Sequence, residues 1–206
     1  MCPKIVDKKL KRQQLVKAAV GVFSERGFKG TSMEEVSLRA GIGKGTIYEY
    51  FGSKEDLFYA CFDWFMKMTI DQAAEALKEC TGSEEKLRTA ARVWTEVVVR
   101  YIDFCPIPLE VWAMASTGSD NERFSTSLKE MYASFRTSIE EMLREGQASG
   151  EFRRDMDVTA IAIMLVSAFD GVLLQSLFDR SIHISSYMNS FLDVLVRGMK
   201  PDLRKG

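Results

Sequence analysis

The sequence predicts an all-α protein of about nine helices: an N-terminal three-helix bundle with a helix-turn-helix, then a C-terminal helical domain. Three observations lead there. Only 4 prolines and 14 glycines punctuate the 206 residues, so long stretches carry no breaker. Between the breaks, apolar residues recur at steps of three and four. No segment keeps the period of two that a half-buried strand needs. With 46% hydrophobic and 28% charged residues, the composition is that of a folded chain with a sizeable core.

Each element has its own signal. Residues 1–6 have no periodic pattern and read as a loose arm. Leu15, Ala18, Ala19, Val22 and Phe23 form one face of a first helix, Asp7 to Arg26, stopped by Gly27. Thr31 and Ser32 open a short second helix to Gly41, with Ser32-x-x-Glu35 and Thr31-x-x-Glu34 as competing capping registers. A third short helix runs from Gly43 to Phe51. Ser53 caps a fourth, Lys54 to Cys80, with Leu57, Cys61, Trp64, Phe65 and Met68 on its inner stripe. A fifth extends to Phe104. Pro106 and Pro108 interrupt, and a short helix follows from Leu109 to Ala115. Ser119-x-x-Glu122 caps a seventh, to Gly150. Asp155 or Asp157 caps an eighth, to Asp179, and a ninth spans Ser185 to Arg197.

Charge divides the chain unevenly. Residues 1–54 carry a net +6 and residues 55–206 a net −7, within an overall −1. A basic first quarter points to a polyanionic partner. It coincides with the segment Thr31–Phe51, where Gly41 turns between two short helices, and Val36, Ala40, Ile42 and Ile47 supply a shared apolar face. Ser37 is small and admits close approach. Gly43 and Gly45 leave backbone N–H groups open to phosphate at the start of the third helix. Lys44 can reach a phosphate or a guanine edge, and Thr46 offers a hydroxyl and a methyl. Tyr48 and Tyr50 either pack into a small bundle or stand partly exposed toward phosphates, and exposure is the expectation because Ile47 and Phe51 already fill the inner stripe.

These residues resemble the N-terminal DNA-binding domain of the TetR family of bacterial regulators. The resemblance covers residues of about 10–58. It is carried by Gly30, Thr31-Ser32, Ala40-Gly41, Lys44-Gly45-Thr46-Ile47-Tyr48-Glu49-Tyr50-Phe51 and Lys54-Glu55-Asp56-Leu57. It implies that Thr31, Ser32, Tyr48, Tyr50 and Lys54 hold phosphates, while Lys44, Gly45, Thr46 and Glu49 face the major groove. It also implies a DNA-binding domain at 1–53 and an effector-binding and dimerisation domain at 54–206. The expected protein is a cytoplasmic, homodimeric repressor. It binds a palindromic double-stranded operator and is released by a small lipophilic effector.

For the body, the eighth helix is apolar nearly all round, so it needs cover on every side. Phe169, Val172, Leu173, Leu177, Phe191 and Leu195 are the expected two-fold interface. Trp64, Phe65, Met68, Trp94, Val98, Tyr101, Trp112, Phe135 and Phe169 are the expected effector pocket, with Arg92 or Arg100 near an acidic group of the ligand. Asp170 and Gln175, among apolar neighbours, are candidates to fix a ligand or cross the dimer axis.

Other functions fit less well. The longest strictly apolar run, Ala160 to Val166, is too short to span a bilayer, and no secretory signal is expected at residues 1–20. The 4 cysteines form no C-x-x-C pair, and there is 1 histidine, so no metal and no cofactor are expected. An all-α enzyme or lipid carrier lacks a nucleophile–base pair, a Glu-x-x-His motif and a P-loop. A ligand-independent architectural DNA-binding protein would lack a cavity in its body.

Overall fold

The computed structural model describes residues 8–104, 106–116 and 122–201. Nine α-helices and one 3-10 turn occur among them: α1 Lys8–Gly30, α2 Met33–Arg39, α3 Lys44–Tyr48, α4 Lys54–Leu77, α5 Ser83–Arg100, the turn Ile102–Phe104, α6 Pro106–Ser116, α7 Glu122–Ser149, α8 Val158–Phe178 and α9 Ile184–Met199. The described residues contain no strand. The expected arm at residues 1–6, the Ser119 cap, Cys2 and Cys105 lie outside the described residues.

Local chemistry explains the boundaries. Gly27 breaks α1 with φ 68°, and its last turn resumes beyond that kink. Ser32 caps α2, its hydroxyl accepting from the Glu35 N–H at 3.2 Å. Glu35 does not complete the box, because its carboxylate pairs with Arg26 at 2.8 Å. Asp157, rather than Asp155, caps α8 by accepting from the Ala160 N–H. Pro106 and Pro108 do not interrupt a helix. Both lie in the first turn of α6, where no intrahelical N–H bond is lost.

The chain folds as two compact units: residues up to Met68 together with Asp103–Ser125, and Thr69–Ile102 together with Thr126 onward. In the first unit α1 packs on α2 and α6, and α2 on α3. Phe58 anchors it, with ring centroids 4.9 Å from Phe23, 5.0 Å from Phe28 and 6.2 Å from Phe124. Cys61 is buried there, and its desolvation pushes the thiol well above its ordinary pKa.

In the second unit α9 packs on α5 and α8. Leu87, Leu143, Phe152, Val196 and Met199 form one buried cluster, and Ala91, Leu165, Met188 and Leu192 another. The N-cap of α5 is Gly82, which has no side chain to cap with. Glu151, far along the sequence, supplies the acceptor instead. It takes the Ser83 N–H at 2.9 Å and the Glu84 N–H at 3.1 Å, and these donors hold its carboxyl below the usual range. Gly146 is required beside it, because a Cβ there would overlap the Phe152 ring.

Candidate nucleic-acid interface and effector cavity

The first unit presents α3 to solvent. Ile47 and Phe51 are buried and hold it down, while Gly43, Lys44 and Gly45 are exposed at its start. Open space surrounds Gly45. Tyr48 is 49% exposed, Glu49 is exposed, and Thr46 and Tyr50 are half-buried. The Lys44 ammonium donates to Glu34 on α2 at 2.9 Å, and that carboxylate holds its pKa above the ordinary lysine value. Both partners are solvent-exposed, so the pair is weak and a phosphate can displace Glu34.

Two of the expected phosphate contacts sit differently. Thr31 is 3% exposed, and its hydroxyl donates to the Gly27 carbonyl at 2.8 Å. Lys54 donates to the Phe28 and Thr31 carbonyls at 2.8 and 3.0 Å and lies 4.4 Å over the Phe28 ring. Both therefore shape the corner between α1 and α2. Sequence reading missed a third member of that corner. Glu110 on α6 accepts the Phe28 N–H at 2.7 Å, and a Cβ at Gly27 would press on its carboxylate. No local pattern signals this, because the two residues lie 82 positions apart.

The second unit contains a cavity of 230 Å³. Of the expected pocket residues, Trp94, Phe135 and Phe169 line it. Val98 and Tyr101 do not, and Val98 is buried in the core. Trp64, Phe65, Met68 and Trp112 belong to the first unit. The contribution of α4 comes later along the helix, from Thr69, Ile70, Ala73, Ala74 and Leu77. Small side chains on α4, with Ala90 and Ala91 on α5, leave the space that bulky residues would fill. Neither Arg92 nor Arg100 reaches it; Arg92 pairs with Glu96 at 3.0 Å on the surface. Asp170 does line it, and Gln175 does not.

The residues expected at a two-fold interface stand at different depths in the second unit. Leu173 is 7% exposed and inside the core. Phe169 sits 4.8 Å from the Trp94 ring, and Val172 and Leu195 pack against the Leu165–Leu192 cluster. Leu177 is half-buried. Of the six, Phe191 stands on the outer row. That row comprises Ile163, Met164, Leu174 and Phe178 on α8, with Tyr187, Phe191 and Val194 on α9. Phe178 is 82% and Val194 71% exposed. Among the described residues, α8 is also long and apolar enough to cross a membrane, but its Ala162, Leu165 and Leu173 are buried in the second unit.

A helix-turn-helix with an exposed second helix and a further helical unit with a mostly apolar cavity define the class as helical DNA-binding regulators. Residues 15–61 match the profile of bacterial regulatory proteins of the tetR family, and residues 83–191 that of the tetracyclin repressor-like C-terminal domain. The chain belongs to the TetR family of bacterial regulatory proteins; it is a transcriptional regulator and not an enzyme. It is 25% identical to the fatty acid metabolism regulator protein of Bacillus subtilis over 93% of this chain and 97% of that one. It is 29% identical to the transcriptional repressor NicS of Pseudomonas putida, over 76% of this chain and 72% of that one. The fold is similar to that of the transcriptional regulator FadR from Bacillus subtilis in complex with stearoyl-CoA. The TM-score is 0.77 at 23% identity, over 91% of this chain and 98% of that one.

Proposed function

We propose that two copies of this chain pair through α8 and α9 and together hold a palindromic operator, acting in the cytoplasm. Residues 1–53 read the DNA, and residues 54–206 take the effector and pair. The observation that carries this reading is the exposed face of α3, stripped of core duties by Ile47 and Phe51. In it, Lys44, Gly45, Thr46 and Glu49 meet base edges in the major groove, and Ser32, Tyr48 and Tyr50 meet phosphates. Thr31 and Lys54 fix the corner that aims α3, and the third Lys54 N–H remains for a phosphate. The exposed apolar row on α8 and α9 supports pairing, since a second copy covers it with the same row.

Release follows from α4. It is one unbroken helix, with Leu57 and Phe58 in the core of the first unit and Thr69–Leu77 along the cavity. A lipophilic effector that fits the cavity better in the released form lowers DNA affinity by that difference in binding. A coupling of about 1–3 kcal/mol gives roughly 5- to 150-fold.

The test is footprinting on the DNA flanking the protein's own gene, with light scattering in parallel. The native protein protects two half-sites about one helical turn apart and is a dimer. Phe178→Arg with Val194→Arg gives a folded monomer without the footprint. A native monomer with an intact footprint rejects the pairing.

A further inference from the structure

The cavity has an unusual charge inventory. Among the described residues Asp170 is its one ionisable lining residue, and no Lys, Arg or His lines it. Asp170 sits half-buried on α8 beside Phe169. Its Oδ2 accepts the Tyr132 hydroxyl at 2.9 Å. The Phe169 and Trp94 rings stand 4.8 Å apart in the same wall, with Phe135 in the lining as well. Burial pushes the Asp170 carboxyl above the ordinary range, against the opposing Tyr132 hydrogen bond.

This inventory discriminates between ligand heads. An anionic head placed inside would meet Asp170 with hydroxyl residues Thr69, Ser134 and Ser138 but no cation among the described lining residues to offset its desolvation. A cationic head gains the carboxylate and the faces of electron-rich rings in the same small space. Size adds a second limit. A 150 Å³ apolar cavity holds benzene, so 230 Å³ suits roughly ten non-hydrogen atoms.

We propose that the effector cavity takes a compact lipophilic ammonium ion, its nitrogen beside Asp170 and its hydrocarbon against Trp94, Phe135 and Phe169. This rests on the reading of the cavity as the effector site. A long acyl chain with its anionic head outside the protein is the competing occupant.

The experiment is calorimetry on the full chain with four probes: benzyltrimethylammonium, its uncharged isostere neopentylbenzene, 3-phenylpropionate and stearoyl-CoA. Wild type and Asp170→Asn are compared; Asn keeps the volume and the acceptor for Tyr132. The expected result is roughly tenfold tighter binding of the ammonium than of its isostere, with that preference lost in Asp170→Asn. Circular dichroism of Asp170→Asn checks that the fold is retained, and Tyr132→Phe, which keeps the carboxylate, retains the preference. Tighter binding of the carboxylate or of stearoyl-CoA overturns the proposal, as does a preference unchanged in Asp170→Asn or no binding of the ammonium. Operator binding is measured separately. An Asp170-dependent ligand that leaves the footprint intact rejects the effector reading, not the ammonium site, whereas release by stearoyl-CoA alone does the reverse.

Discussion

The two units use aromatic rings in opposite ways. Around Phe58, three other phenylalanine rings close on one another and fill the space between α1, α4 and the start of α7. Around Trp94 and Phe169, rings form only part of a wall, and the lining also includes the small side chains of Ala73, Ala74, Ala90 and Ala91. Interiors are normally packed like crystals, so a filled cluster resists deformation and a hollow one concedes volume to a ligand. Under the proposed function, the difference suits a reading head that must hold its geometry and a sensor that must change its own.

Breaking the filled cluster has the largest expected effect. Phe58→Ala removes a fully buried ring and costs about 3–5 kcal/mol. Urea unfolding followed by circular dichroism reads this directly; a loss under about 1 kcal/mol would mean that the ring cluster does not hold the head. Next comes the corner that aims α3. Glu110→Ala leaves the Phe28 N–H without its acceptor and costs about 1–3 kcal/mol. Glu110→Gln retains an acceptor oxygen and should recover most of it. Equal losses for the two variants would assign the effect to packing.

In the second unit, Glu151→Ala uncaps α5 at a cost of about 1 kcal/mol. The Glu151 carboxyl is held below its ordinary 4.5 in the folded state. Its contribution is therefore complete above that value and lost as pH falls through the folded pKa. Melting curves of wild type and variant should run parallel at pH 6–7 and converge in acid. A gap that stays constant into acid argues against the carboxylate as the cap. Smallest on stability is Ala90→Leu, which fills the hollow wall. Its melting temperature should stay close to wild type, a shift worth under about 1.5 kcal/mol, while ligand binding disappears. A strong destabilisation would show that the space is already occupied by protein atoms in solution.

Sequence and structure divide the explanation by range. The helices, the Ser32 and Ser53 caps and the turn at Gly41 were legible because each depends on neighbours within about four residues. The face of α3 was legible for the same reason: Ile47 and Phe51 declare its inner side. The phase of α8 was not. A helix apolar all round carries no moment, so only packing against its neighbours, α9 among them, decides that Leu173 turns inward and Leu174 outward. The Glu110 and Glu151 contacts join residues 82 and 68 positions apart, beyond any local rule. The cavity follows the same logic. Its aromatic half was visible as Trp94, Phe135 and Phe169, but its empty half consists of alanines, which signal nothing until the fold sets them opposite one another. The sequence by itself determined the helices, those of their ends that are capped locally, and the surface that α3 offers. Tertiary packing alone decided where volume is missing and which charge faces it, because both depend on distances between helices remote in the chain.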